Sequence, residues 1–188
     1  MLKDMIYVFQ SIRSSGATSV ALNLALLHKT KHPQDDVALM QVTSFPDLHL
    51  FWENQPPLIQ CFYSDPDHPL DDFSELPKAE HLYIDLHLST DPQLQIQIIN
   101  QADKHFLIQT PDPSSQQATQ SYRAQFPKAE IILNQGPKKS PSEENFWSLP
   151  WDEKAFVRHT YGGPPAVLQK RSAWSKALLP LLHHIIQN

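Results

Sequence analysis

The stretch "MIYVFQSIRSSGATSVALNLALLHK", residues 5–29, decides the fold. An apolar run, "MIYVFQ", gives way to a short polar turn. A helical pattern follows, with Val20, Leu24 and Leu27 at helical spacing and Thr18 and Ser19 in its first turn. Strand, turn and helix in that order form the arrangement in which backbone N–H groups at a helix N-terminus cradle a phosphate. Such a loop also uses a lysine that reaches the terminal phosphates, and a following Ser or Thr whose hydroxyl serves magnesium. Here the turn keeps Gly16 and the hydroxyls of Thr18 and Ser19, but Ala17 stands where the lysine belongs. Taken alone, the segment favours a plain strand-to-helix turn capped by Ser14 or Ser15.

Outward from this unit, short apolar runs alternate with amphipathic helical patterns, the mark of a parallel sheet covered by helices. The predicted strands are "MIYVFQ" (5–10), "VALMQV" (37–42), "HLYIDL" (81–86), "KHFLIQ" (104–109) and "AEIILN" (129–134). Several are apolar on both faces, as strands between two helix layers must be. The expected fold class is therefore α/β, doubly wound, with a mostly parallel central sheet and helices on both faces. A helix is predicted over 17–29. Another over 91–102 has Asp91 as N-cap and Pro92 at its first position, and a more polar, exposed one covers 114–126. The last helix begins near Ser172, and Pro180 should kink it unless two shorter helices meet there. Residues 53–79 give no clear pattern, and 135–144 read as an exposed loop.

The 188 residues suit one domain, 1–188, with a sizeable core. No apolar run approaches a membrane span and no secretory signal is evident at the N-terminus, while a single cysteine, Cys61, points to a reducing cytoplasm. A net charge of −5 gives no global pull toward nucleic acid. Four glycines against 17 prolines is a poor composition for glycine-rich loops.

In order along the chain, these segments resemble the MinD/ParA family of deviant Walker ATPases, and within it the CpaE/TadZ branch of pilus-assembly and polar-localisation proteins. The family loop K-G-G-x-G-K-T-T falls on Ile12, Arg13, Ser14, Ser15, Gly16, Ala17, Thr18 and Ser19, and "ALNLAL" continues in step with the helix that follows. "VALMQVTSFPDLHLFW" matches the second family strand, placing Gln41 and Thr43 at its two aspartates and Pro46-Asp47-Leu48 at its G-D-L. "HLYIDL" matches the Walker B strand with Asp85 retained, and "AEIILNQ" places Asn134 at the asparagine that reads adenine. "LPWDEKAFVRHTYGGPPAVLQKRSAWSKALLPLL" is similar to the family's C-terminal stretch. The likeness spans Ile6 to about Leu182.

The departures carry as much information. The family's signature lysine crosses a dimer interface to the partner's nucleotide, and here it is Ile12; the second lysine is Ala17, and the catalytic-water acid is Gln41. Transition-state clamps of this kind carry several orders of magnitude in phosphoryl-transfer rate, so hydrolysis should be negligible. Residues 13–19, Asp85 and Asn134 are then a degenerate nucleotide site, with no catalytic residue and at most weak ATP and magnesium binding through backbone N–H groups. Arg13 places a cation near an anion or points to solvent, and side chains at 13 and 14 restrict the backbone approach that glycines allow.

Other chemistry is poorly supported. His28 and His32 lie four apart, and His81, Asp85 and His87 alternate, but no second His pair stands at ligand spacing, so no metal site is expected. No G-x-S-x-G occurs, and Cys61 has no local catalytic signature. The basic clusters at 138–139 and 169–176 read as a solvated face rather than a nucleic-acid contact. Trp174, Leu178, Leu181, Leu182, Ile185 and Ile186 make an apolar face better suited to docking on the core than to anchoring in a membrane. The resemblance thus implies a cytoplasmic, non-hydrolysing scaffold or localisation protein, polar or membrane-peripheral in the cell. It would act as a homodimer, with Ile12 at the interface, and contact proteins of a polar, pilus or secretion assembly. The alternatives are a weak ATPase acting as a nucleotide-gated dimer switch, and a pole-organising relative serving flagella or cellulose secretion.

Overall fold

The computed structural model describes residues 4–13, 15–44, 48, 58–64, 70, 72–136, 146–160, 163–169 and 172–187. The strands are β1 (Met5–Ser11), β2 (Val37–Val42), β3 (Gln60–Tyr63), β4 (His81–Leu86), β5 (Lys104–Gln109), β6 (Glu130–Gly136) and β7 (Phe146–Pro150). The described helices are α1 (Ala17–Lys31), α2 (Pro92–Gln101), α3 (Pro113–Arg123), α4 (Glu153–Thr160) and α5 (Ala173–Ile186), with single 3-10 turns at Phe73–Glu75 and Ala166–Leu168.

All seven described strands join one sheet in the order β3-β2-β4-β1-β5-β6-β7, and every pairing is parallel. The expected doubly wound α/β class is what the chain adopts. Alternate side chains of each strand enter two separate cores, because successive Cβ atoms point to opposite faces. On one face Tyr7, Phe9, Leu39, Tyr83 and Phe106 pack with α1 and α5; on the other Val8, Met40, Ile84 and Leu86 pack with Leu94 and Ile98 of α2. This double burial explains why β2 is buried at every position.

The five predicted strands are present, with β1 and β6 running slightly beyond their predicted ends. β3 lay hidden in 53–79 because it is an edge strand whose "QCFY" leaves Phe62 and Tyr63 exposed and shows no alternation. β7 was missed because "FWSLP" ends in proline; at the opposite edge a proline forfeits little of the ladder. Most of the predicted loop 135–144 lies outside the described residues.

Helix ends follow the local chemistry. Asp91 accepts hydrogen bonds from the N–H groups of Gln93 and Leu94, and Asp112 caps α3 by accepting from Ser115 N. α3 buries only Ser115 and Thr119, in keeping with its expected exposure. α5 is one helix through Pro180, so the alternative of two shorter helices falls. Pro180 and Lys176 are both exposed, which lets water reach the carbonyl that lacks its intrahelical donor. Its apolar face docks as expected: Trp174, Leu178, Leu181, Leu182 and Ile185 are fully buried. No described helix is long and apolar enough to cross a membrane.

Candidate functional site

β1 lies at the sheet centre, with β4, β2 and β3 to one side and β5 to β7 to the other. The turn after β1 therefore opens where the winding reverses, at the C-terminal edge, which is where open α/β sheets bind ligands. Within this turn Ile12 is partly buried and Arg13 is exposed; Ser14 lies outside the described residues.

Two bonds hold the turn down. The Ser15 hydroxyl donates to the Ile108 carbonyl of β5 at 2.7 Å, and the Asn134 Nδ2 of β6 donates to the Ser15 carbonyl at 2.8 Å. Gly16 then occupies the N-cap position of α1 at φ +88°, a left-handed conformation that side chains resist. A Cβ there would also stand 2.7 Å from Asn134 Nδ2, so the site needs glycine for space as well as for backbone. Among the described residues no side chain caps α1. The expectation of a Ser15 cap is thus corrected: its hydroxyl is directed at β5 as a donor and is not turned toward the helix N–H groups. No acidic residue of α1 itself occupies its first turn, and the carboxylate that stands at this positive dipole end is that of Asp85, brought from β4.

Asp85, at the end of β4, is buried. Its Oδ2 accepts from Thr18 Oγ1 at 2.6 Å and from Gln41 Nε2 at 3.0 Å. The Gln41 Oε1 in turn accepts from Leu48 N at 2.9 Å. Gln41 is therefore a two-ended brace between β4 and the segment after β2, a role available to a carboxamide, which donates and accepts, and denied to an ionised carboxylate. Thr43 sits among hydroxyls: its N–H donates to Ser64 Oγ at 3.0 Å, and its own hydroxyl lies 3.3 Å from Ser89 Oγ. Pro46 and Asp47 fall outside the described residues.

The fold thus gathers Ser15, Gly16, Ala17, Thr18, Ser19, Asp85 and Asn134 around one turn. Thr18 and Asp85 keep the hydroxyl and carboxylate that a magnesium corner needs, and the helix terminus keeps its N–H groups. The cationic clamp does not fit, since Ile12 and Ala17 offer no charge and Arg13 is directed outward. Asn134, expected at an adenine-reading position, spends an amide donor on the loop backbone. Gln135 beside it has φ +62°, at a register shift in the β6–β7 pairing, which resumes at Gly136.

Some residues were overlooked in the sequence. Asn23, the polar member of "ALNLAL", is buried; its Oδ1 accepts from Val167 N at 3.0 Å and its Nδ2 donates to Ser19 O at 2.8 Å, tying α1 to the turn before α5. A lone asparagine inside an apolar helical run was the available signal. On the other sheet face Gln10 is fully buried; its Nε2 donates to Gln95 Oε1 at 2.9 Å, and its Oε1 lies 3.3 Å from His105 Nε2. Burial holds His105 in its neutral form, with a pKa pushed down to about 4.

This topology, with the turn at its switch point, defines the chain as an α/β protein with the fold of the MinD/ParA P-loop ATPases. The structure superposes on the ParA family ATPase from Chlorobium tepidum TLS with a TM-score of 0.70 at 14% identity, covering 97% of this chain and 100% of that one. The MinD cell division protein of Aquifex aeolicus gives 0.69 at 16% identity, covering 98% of each chain. A putative plasmid partition protein from Borrelia burgdorferi B31, bound to AMPPNP, gives 0.74 at 12% identity, covering 98% of this chain and 99% of that one. At such identities the likeness establishes the fold alone. No protein-family model matches the sequence, and neither does any curated protein.

Proposed function

We propose that this chain is a non-hydrolysing scaffold or localisation protein on a MinD/ParA-type frame, serving a polar, pilus or secretion assembly through protein–protein contact. The observation that carries this is the brace at Gln41. Where the resembled family places the acid that positions water, a buried carboxamide is bonded to Asp85 at one end and to Leu48 N at the other. With Ile12 and Ala17 in place of lysines, neither a charge clamp nor a water-orienting base stands at the turn. What persists is architecture: a strapped loop and a closed polar core at the edge where open α/β sheets bind ligands.

Were a nucleotide to bind, the N–H groups at the start of α1 would hold its phosphates, and Thr18 with Asp85 would hold magnesium. A resemblance to the CpaE/TadZ branch favours pilus assembly as the setting, and Ile12 on the loop face favours a nucleotide-independent homodimer. Among solved structures of this fold is a MinC:MinD cell division protein complex from Aquifex aeolicus, which illustrates the frame working through a protein partner.

The test is turnover by the purified chain with ATP and magnesium. No release of phosphate above background is expected, in the wild type or in Ala17→Lys. Turnover that vanishes in Asp85→Ala would overturn the scaffold reading and establish the alternative, a weak nucleotide-gated switch. Calorimetry separates binding from hydrolysis: a tight, magnesium-dependent complex favours the switch.

A further inference from the structure

At the opposite end of the sheet, away from the loop, lies a cluster that the preceding function does not use. His28 is on the last turn of α1, Asp35 is in the short loop between α1 and β2, and His81 opens β4. His28 Nε2 stands 2.9 Å from Asp35 Oδ2, and His81 Nε2 stands 3.8 Å from the same oxygen. One donor atom from each residue falls within 4.8 Å of the others. We infer that His28, Asp35 and His81 form a binding site for a divalent transition-metal ion of the zinc type, with His28 Nε2, His81 Nε2 and an Asp35 carboxylate oxygen as ligands.

The geometry suits a small tetrahedral ion. Metal–ligand bonds of about 2.0–2.1 Å set neighbouring donors about 3.3 Å apart, and the two distances to Asp35 lie on either side of that value. Both imidazoles turn the same nitrogen inward, for a shared reason. His28 Nδ1 lies 2.8 Å from the Tyr83 hydroxyl, and His81 Nδ1 lies 2.9 Å from the Tyr7 hydroxyl. In this structure His28 Nε2 hydrogen-bonds Asp35; with each Nδ1–H donating to its tyrosine oxygen, an incoming ion would take the place of that bond and meet a lone pair on each Nε2. An outer hydrogen bond on the far ring nitrogen is the usual way a protein fixes the tautomer of a metal-ligating histidine.

The backbone around the cluster is held as well. Lys29 Nζ donates to the Asp35 carbonyl at 2.7 Å, and His81 N donates to the Asp36 carbonyl at 2.9 Å. These bonds pin the loop to both α1 and β4, so the three ligands come from elements fixed relative to one another. His28 is fully buried, whereas the side chains of His81 and Asp35 are 13% and 31% exposed, which leaves the ion a path from solvent and room for a water as fourth ligand. Sequence spacing hides this site, because its ligands are separated along the chain and converge only through the parallel pairing of β4 with β1 and β2.

Titration of the full chain, free of any histidine tag, with zinc chloride by calorimetry tests this, together with cobalt absorption as a probe of tetrahedral geometry. One ion per chain is expected, with visible cobalt bands. His81→Gln and Asp35→Asn, both at partly exposed positions and checked for native circular dichroism, should each weaken uptake by at least about tenfold. Tyr7→Phe, which touches no ligand atom of the ion, should weaken it by about tenfold or more through the lost outer hydrogen bond. No uptake by the wild type, or uptake unchanged in both ligand variants, overturns the site. None of these results bears on nucleotide turnover, so the scaffold proposal stands or falls separately.

Discussion

Replacing Gln41 by glutamate keeps the side-chain length and changes only the hydrogen-bond chemistry, which makes it the sharpest probe of the brace. The carboxamide donates to Asp85 Oδ2 at 3.0 Å and accepts from Leu48 N at 2.9 Å. An ionised glutamate can accept from Leu48 N, but it would set two carboxylates at hydrogen-bond distance in a buried place, where both cannot comfortably ionise. The variant has one escape. A protonated glutamate restores the donor to Asp85, and the price is holding a proton above its ordinary pKa of about 4.3. At pH 7 that is about 2.7 pH units, or about 3.7 kcal/mol at 1.36 kcal/mol per unit, which is an upper bound on the loss from charge alone. At pH 5 the same reasoning leaves about 1 kcal/mol. Urea unfolding of wild type and Gln41→Glu at pH 5, 6 and 7 measures the difference, and any pH dependence shared by both proteins cancels. The destabilisation should shrink by about 1.4 kcal/mol for each pH unit of acidification. A difference that does not change with pH, or one below about 1 kcal/mol at pH 7, refutes the brace.

Three further outcomes are expected. Gly16→Ala should lose about 2–3 kcal/mol in urea unfolding, from left-handed strain and from displacing the Asn134 amide off Ser15 O; a loss under about 0.5 kcal/mol would mean the turn relaxes freely. His28 and His105 both have folded pKa values of about 4, lowered chiefly by burial, so the unfolded chain binds more protons than the native one between pH 4 and 6.5. Stability should therefore be full above about pH 6.5 and fall as the pH drops toward 4, and His105→Gln should flatten that fall by about 1 kcal/mol per pH unit with chelator present; an unchanged slope contradicts it. Light scattering without nucleotide should find a dimer in the wild type and a monomer in Ile12→Asp, and a wild-type monomer, or a dimer indifferent to the aspartate, places the contact elsewhere.

The sequence by itself determined the fold class and its centre. Runs such as "VALMQV" and "HLYIDL", apolar on both faces, have one cheap solution, a parallel sheet between helix layers, and "MIYVFQ" ahead of a helical pattern fixes where the turn sits. Asp91 and Pro92 announced their helix because capping is a local bond between near neighbours. The edge strands β3 and β7 were not legible, since an edge strand owes its place to its neighbour's open hydrogen bonds rather than to its own pattern. Of the site, composition gave the identities at positions 12 to 19, and it gave Gln41 only as a missing acid. That Gln41 is a brace, that Ser15 is tied to Ile108 instead of capping α1, and that Asn134 holds the loop backbone were decided in three dimensions. The same holds for His28, Asp35 and His81. Hydrogen bonds and ligand sets between residues far apart in the chain depend on strand order and register, and no local period in a sequence encodes those.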